Sequence, residues 1–156
     1  MANWRMQLHP SQSSRAIADT VKCLAAGYIG LDFSEDVPDM LTIDRERLPE
    51  RQRNYFAFAH ELDVNDWVLL FAHHYPFALA RVTGGYNYLK AAVPELRAWF
   101  GHFRSVSDIH FYGDWISVPQ WERITMTGTI DPLREPQSAS YQLIERWRQY
   151  LVQGAA

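Results

Sequence analysis

One stretch near the middle of the chain decides the fold. Residues 67–88 read WVLLFAHHYPFALARVTGGYNY. Trp67 to Ala72 is continuously apolar, as a central strand buried on both faces should be. The short polar segment His73–Pro76 turns the chain back into a second apolar run at Phe77–Thr83. The stretch therefore predicts two adjacent antiparallel strands of a curved sheet.

Hydrophobic periodicity predicts further elements on both sides of this hairpin. Gly84-Gly85 ends the second strand, and Tyr86 and Tyr88 then project to one face because they lie two residues apart. Residues 34–49 hold two prolines and mixed charges, which predicts a mobile loop. The other predicted elements are strands over 3–8, 28–33 and 103–112, and helices that run from Ser13 or Ser14 to Ala25 and over 50–62, 93–100 and 138–152. Short connections and a surplus of strands favour a compact α+β barrel over a doubly wound sheet.

Composition excludes several classes of protein. The chain has 156 residues, 47% of them hydrophobic, and a net charge of −3, which predicts a single globular domain over residues 1–156. A broadly basic nucleic-acid binder is excluded, although a local basic patch is not. Cys23 is the single cysteine, so the chain can form neither an internal disulfide nor a cysteine-only zinc site. With no apolar run of 18 residues and no signal-peptide pattern, we expect a cytoplasmic protein without a membrane segment.

Arginine supplies 13 of the 15 basic residues, and 14% of the residues are aromatic. A guanidinium group binds phosphate through two parallel hydrogen bonds and stacks on bases, and aromatic rings do the same for bases. A GC-rich genome produces the same arginine bias without a functional cause, and aromatic residues also fill cores. The composition is therefore compatible with nucleic-acid binding and does not require it.

Motifs that are typical of enzymes are incomplete. The zinc motif H-E-x-x-H begins at His60, but Val64 stands where its second histidine should be. The chain contains no P-loop, G-x-G-x-x-G or G-x-S-x-G. Asp108 and His110 would share a strand face, yet the pair lacks a nucleophile. We therefore predict no catalytic group, no metal and no cofactor. The alternative is a small hydrolase that uses Asp108, His110 or His73.

Several stretches, taken in order, carry a family resemblance. They read RQRNYF over 51–56, LDVNDWVLLF over 62–71, ALARVTGGYNY over 78–88 and HFRSV over 102–106. The first two resemble the ARN-x-L … GD-x-V-x-F-Y segment of EVE domains, which belong to the PUA-like superfamily. The third resembles the V-T-G-x-Y-x-Y stretch of EVE-like domains in McrB-type modification-dependent restriction proteins, and the fourth resembles the R-x-V-x-W strand that follows.

The match has three departures from the family pattern. Asn65 replaces the glycine of the GD pair, and asparagine tolerates the same left-handed turn. Residues 29–31 read IGL where the family has an I-G-W strand, so Leu31 replaces a tryptophan. Asp108 replaces the tryptophan of the R-x-V-x-W strand. Two expected aromatic residues are therefore missing, so the ligand or the walls of its pocket differ from those of the family.

The resemblance implies a PUA-like fold, that is, a small twisted β-barrel with flanking helices. It also implies a non-catalytic reader of methylated or hydroxymethylated bases in nucleic acid, with DNA favoured over RNA, that holds a flipped base in an aromatic pocket. Such a reader would be the specificity module of a restriction or defence system, with a nuclease or NTPase in the same chain or in a partner. The alternatives are a small PUA-like hydrolase, an RNA-processing enzyme and a protein-interaction module.

These expectations select candidate binding residues. We expect a base to stack between Tyr86 or Tyr88 and one of two tryptophans, Trp99 or Trp115. Asp32 or a backbone carbonyl would accept a hydrogen bond from its amino group. The predicted pocket residues are Tyr28, Leu31, Asp32, Phe33, Tyr86, Tyr88, Trp99 and Trp115. The predicted phosphate contacts are Arg81 and Arg104. The alternative for Tyr86 and Tyr88 is that they only cover the end of the barrel.

Overall fold

A curled, mixed sheet organises the molecule. The computed structural model describes residues 1–8, 16–31, 36–91 and 101–155, and within these ranges the sheet has seven strands. The strands are β1 (Asn3–Gln7), β2 (Tyr28–Leu31), β3 (Trp67–Ala72), β4 (Tyr75–Val82), β5 (Asn87–Tyr88), β6 (His102–Phe111) and β7 (Ile130–Pro132). The α-helices are α1 (Ala16–Ala25), α2 (Arg53–Phe56), α3 (Tyr112–Trp115) and α4 (Ala139–Gly154). The fold is therefore α+β, with the sheet forming a half-barrel beside the helices.

The hairpin predicted from residues 67–83 is confirmed. β3 and β4 are antiparallel neighbours, with Trp67 opposite Arg81 and Ala72 opposite Tyr75. His73 takes a φ of 59° at the turn, a backbone conformation that residues other than glycine adopt in tight turns. Around this hairpin the strand order is β2-β6-β4-β3-β1-β7, with β1 parallel to β3.

The long strand β6 gives the sheet its curl. Residues 102–105 of β6 pair with β2, and its first two residues also pair with β5 on the other edge. Residues 106–111 pair instead with β4. The register shifts opposite Ala80, where Asp108 has a φ of 48°. A bulge of this kind bends a strand, so one continuous strand can join two differently inclined parts of the sheet.

β3 separates two hydrophobic cores because its side chains alternate between the two faces of the sheet. Val68 and Leu70 contribute to the first core, together with α1, segment 36–48 and the helical stretch 53–61. Leu69 and Phe71 contribute to the second core, together with α3 and α4. For a side chain on β3, the core that it contacts therefore tells on which face of the sheet it lies.

The helices follow the predictions with local differences. Residues 50–61 are helical as predicted, but they form a 3-10 turn (Glu50–Gln52), α2 and a π-helical turn (Ala57–Glu61) in succession. Ser138 caps α4 by accepting a hydrogen bond from the Tyr141 N–H. In α1 the buried face carries Cys23 and Leu24, whereas Val21 is 42% exposed. No helix in the described ranges is long and apolar enough to cross a membrane.

The prediction of a mobile loop over residues 34–49 is wrong for the part that the structure describes. Val37, Met40 and Leu48 are buried in the first core. Two 3-10 turns, Met40–Thr42 and Arg45–Arg47, carry the chain between these anchors. The predicted helix over 93–100 lies outside the described residues. Strand β7, which the sequence analysis did not predict, adds to β1 at the edge of the sheet.

Candidate functional site

Four aromatic side chains meet at the beginning of β6. Tyr88 lies directly opposite His102 in the β5–β6 pair, and the two ring centroids are 5.1 Å apart. The Tyr86 ring lies 5.9 Å from the His102 ring, and Tyr55 approaches it edge-on from α2 at 4.5 Å. His102 is only 3% exposed, whereas Tyr86 and Tyr88 are half-buried. We call Tyr55, Tyr86, Tyr88 and His102 the tyrosine–histidine cluster.

Hydrogen bonds fix the protonation state of this cluster. Nε2 of His102 lies 3.0 Å from the Val37 carbonyl oxygen. Because a carbonyl can only accept, Nε2 carries the hydrogen and donates it. In the neutral ring Nδ1 then accepts from the Tyr86 hydroxyl, 2.7 Å away. The same hydroxyl accepts from the Met40 N–H at 3.1 Å. Each of these polar groups thus has a partner of the right type.

Both titratable members of this network stay neutral near pH 7. Burial lowers the pKa of His102 below its usual 6.5, against the opposing effects of the Val37 hydrogen bond and the Asp39 charge. Burial also raises the pKa of Tyr86 to about 12, and Asp39 adds to that increase. The half-buried Asp39 is therefore the charged group that acts on the cluster, beside two neutral rings.

The network also holds the preceding segment in place. The Met40 N–H donates to Tyr86, and the Met40 carbonyl accepts from Nε2 of His60 at 2.9 Å. His102 holds the Val37 carbonyl at the other end of this segment. Asp39 lies between these two anchors, and its carboxylate accepts from the Leu41 N–H. Residues 37–40 are thus fixed against β5 and β6 with a carboxylate facing the cluster.

This network predicts a pH dependence of folding. The unfolded His102 ring, with a pKa near 6.5, binds a proton before the buried ring does. The stability gained from burying neutral His102 is therefore complete above about pH 6.5 and is lost as the pH falls below that value. In urea titrations, the free-energy difference between the parent and a His102→Gln variant should shrink from about pH 7.5 to about pH 5.5. A difference that stays constant over this range would contradict the assignment.

The predicted pocket residues on β2 lie on two different faces. Leu31 lies opposite His102 and shares its face, but it is only 1% exposed and belongs to the core. Tyr28 lies opposite Ser105, on the other face of the strand, where its ring meets that of Phe103 edge-on at 6.0 Å. The structure therefore brings neither to the surface beside Tyr88. Asp32, Phe33 and Trp99 lie outside the described residues.

Trp115, one of the two tryptophans predicted to stack a base against the tyrosines, packs away from them. Trp115 belongs to the second core, where its ring stacks on Trp147 at 5.3 Å and on Tyr150 at 5.7 Å. Tyr86 packs against the first core. The two side chains are thus on opposite faces of the sheet, because the short helix α3 turns Trp115 towards α4.

The predicted phosphate contacts are also corrected. Arg104 is 4% exposed, and its guanidinium donates to the carbonyls of Phe58, Ala59 and Gly84 at 2.7, 2.7 and 3.2 Å. It is therefore a buried structural residue that holds the end of a helix. Arg81 lies opposite Trp67, on the side of the second core, and forms an ion pair of 2.6 Å with Asp108. Arg81 therefore lies on the other face of the sheet from the tyrosine–histidine cluster. Arg104 shares the face of His102 but is buried and held by carbonyl groups, so it is not free to bind a phosphate.

Two residues of the catalytic alternative, Asp108 and His110, share a cavity. Asp108 and His110 both line a cavity of about 370 Å³ between β6 and the end of α4. The Asp108 carboxylate is already paired with Arg81, and His73 lies on the surface at the hairpin turn. Among the residues that the structure describes, no group of three His, Cys, Asp or Glu side chains is arranged to hold a metal ion.

Sequence reasoning missed three residues of the site, Tyr55, His102 and Asp39. His102 stands only at the start of the stretch 102–106, and Asp39 lies within the segment 34–49 that is predicted to be a loop. His102 has no local signal, because its hydrogen-bond partners are 16 or more residues away in the chain. No protein-family model matches the sequence, and no curated protein matches it. The function is therefore inferred from the tyrosine–histidine cluster itself.

Proposed function

We propose that this protein is a non-catalytic reader of a modified base in DNA, built on a PUA-like half-barrel. The observation that carries the proposal is the pair of half-buried tyrosines, Tyr86 and Tyr88, held against a buried neutral histidine beside Asp39. The strand sequences that resemble EVE-like domains support it. In a restriction or defence system such a reader supplies specificity, and a nuclease or NTPase in the same chain or in a partner supplies cleavage.

The chemistry of the cluster suits an uncharged, flat ligand. A flipped base gains roughly 1–3 kcal/mol from each aromatic ring on which it stacks, against an unstacking cost of a few kcal/mol. Tyr86 offers a ring whose orientation is fixed by two hydrogen bonds, so little entropy is lost when it meets a ligand. A methyl group that fills an apolar gap adds about 0.8 kcal/mol, which lets a tight pocket distinguish a methylated base.

Asp39 adds the means to recognise an amino group. A carboxylate accepts hydrogen bonds, and the exocyclic amino groups of cytosine and adenine donate them. Asp39 is near enough to Tyr86 and His102 to change the pKa of both. Asp39 thus takes the role predicted for Asp32. A carboxylate at this place favours a base with an exocyclic amino group, cytosine or adenine, over thymine.

A binding panel tests the proposal directly. One duplex sequence would be prepared unmodified and with a single 5-methylcytosine, 5-hydroxymethylcytosine or N6-methyladenine, and its affinity measured by fluorescence anisotropy at fixed salt. A matched RNA would test the preference for DNA. We expect one modified DNA to bind more tightly than the unmodified duplex. Equal affinity for all of the DNAs would contradict base reading.

Removing the Tyr88 ring should weaken this recognition. A Tyr88→Ala variant is expected to lose roughly 1–3 kcal/mol of binding free energy for the preferred duplex, which is about 5- to 150-fold in affinity. Tyr88 is half-buried on the two-residue strand β5, at the surface of the cluster, so circular dichroism should show an unchanged fold. Tyr75→Ala is the matched control, because Tyr75 is an exposed tyrosine at the other end of the sheet's central hairpin. If both variants bind like the parent, Tyr88 does not contact the base.

A further inference from the structure

A short strip of exposed arginines lies next to the tyrosine–histidine cluster. Arg45, Arg47, Arg51 and Arg53 are all exposed, and we call them the arginine strip. Within residues 45–53 the four arginines face only two acidic residues, both glutamates. The strip is therefore positive in a chain whose net charge is −3. This is the kind of local basic patch that the overall composition leaves open.

The backbone of the strip is fixed. Two 3-10 turns and α2 carry the arginines, and the buried side chains of Leu48 and Tyr55 anchor these turns in the first core. The Arg45 guanidinium lies 5.6 Å from the centre of the Phe56 ring and 3.8 Å from a carboxylate oxygen of Glu61. The backbone that carries the arginines is thus already fixed before binding, which reduces the entropy lost on binding.

Two members of the strip are available for a partner. Within the described ranges of the chain, Arg47 and Arg53 form no ion pair. Arginine presents a planar fork that matches the oxygens of a phosphate. An unpaired, exposed guanidinium on a fixed turn can bind a phosphate without first breaking an internal salt bridge.

The strip and the cluster are carried by the same pieces of structure. Tyr55 is two residues after Arg53, and its ring meets that of His102 at 4.5 Å. Phe56 stacks on His60 with ring centroids 4.3 Å apart, and His60 holds the Met40 carbonyl whose own N–H donates to Tyr86. Arg45 is therefore connected to Tyr86 through Phe56, His60 and Met40.

We propose that the arginine strip binds the backbone phosphates that flank the base held by the tyrosine–histidine cluster. This inference rests on the proposed function and replaces Arg81 and Arg104 as the phosphate contacts. Phosphate contacts carry no sequence information but fix the register of a protein on nucleic acid. The strip would thus position the duplex, while Tyr86, Tyr88 and Asp39 recognise the base.

The salt dependence of binding tests this assignment. The variant carries Arg47→Gln and Arg53→Gln. The control carries Arg123→Gln and Arg134→Gln, which removes the same charge from exposed positions outside the strip. Affinity for the unmodified and the 5-methylcytosine duplex is measured over a salt series. Each lost phosphate contact lowers the slope of log K against log salt by about 0.9, so the variant should lose about 1.8 and the control nothing. Thermal unfolding of both should match the parent.

The outcomes separate this inference from the proposed function. A lower slope in the variant, with an unchanged preference for the modified duplex, supports both. A lower slope in a protein that binds the unmodified duplex and all three modified duplexes of the binding panel equally supports the strip and overturns base reading. Slopes equal to that of the parent, with the preference for the modified duplex intact, overturn the strip alone. An equal loss of slope in the control shows a general charge effect and also overturns it.

Discussion

An Arg104→Met variant is expected to lose about 3–5 kcal/mol of unfolding free energy. The guanidinium is buried and donates to three carbonyls. Two of these, from Phe58 and Ala59, belong to the π-helical turn that ends the stretch 53–61. The last carbonyls of a helix lack partners within the helix, and this is the negative end of the helix dipole. A cation at this end therefore stabilises the helix. Methionine fills similar space but leaves the buried oxygens without donors.

Urea denaturation followed by circular dichroism measures this loss. The slope of free energy against urea should match that of the parent, because the same surface is exposed on unfolding. Arg104→Lys serves as the control: it keeps the positive charge but cannot reach three carbonyls at once, and it should recover only part of the stability. A loss below about 1 kcal/mol in Arg104→Met would show that Arg104 does not hold the helix end.

An Asp66→Ala variant should lose about 2–4 kcal/mol, since hydrogen bonds to a buried charged group are among the stronger ones. The Asp66 carboxylate is 3% exposed and accepts from the indole N–H of Trp4 at 2.9 Å and from the Asp63 N–H at 3.0 Å. It also accepts from the Ala2 N–H. Asp66 therefore attaches the beginning of β1 to the turn that precedes β3.

The neighbouring Asp63 provides the matched control. Its side chain is exposed, and Asp63→Ala keeps the backbone N–H that Asp66 needs, so its cost should stay below about 1 kcal/mol. Thermal or urea unfolding of the two variants gives the comparison. Equal losses of unfolding free energy in the two variants would contradict the role of the buried Asp66 carboxylate. Since the charge of Asp66 also acts on Arg104, the effects of Asp66→Ala and Arg104→Met should not be additive.

The parts of the fold that could be predicted are those set by local pattern. The apolar run of β3 and the short turn after it fix the central hairpin whatever surrounds them. The turn at Asn65 is a second case, since it has a φ of 76° and asparagine adopts the left-handed conformation that the glycine of the GD motif would adopt. One face of residues 55–62 is buried as its helical spacing predicts.

The site was harder to predict because its interactions are long-range. Arg104 looks like a surface arginine in the sequence, and only the approach of Phe58, Ala59 and Gly84 makes it a core residue. Segment 36–48 looks polar, yet a few apolar side chains, such as Met40, anchor it. The position of Trp115 could not be predicted either. It lies on the short helix α3, and residue spacing does not tell which face of the sheet a short helix after a strand will cover.

The position of β1 in the sheet affects how the molecule can assemble during synthesis. β1 lies between β3 and β7, which come much later in the chain. Its Arg5 joins Asp131 across 126 residues. Until β7 emerges from the ribosome, one edge of β1 has no partner strand, and unpaired edges are prone to pair with other chains. β1 is thus made before both of its partner strands, and its pairing is completed only when β7 has been made.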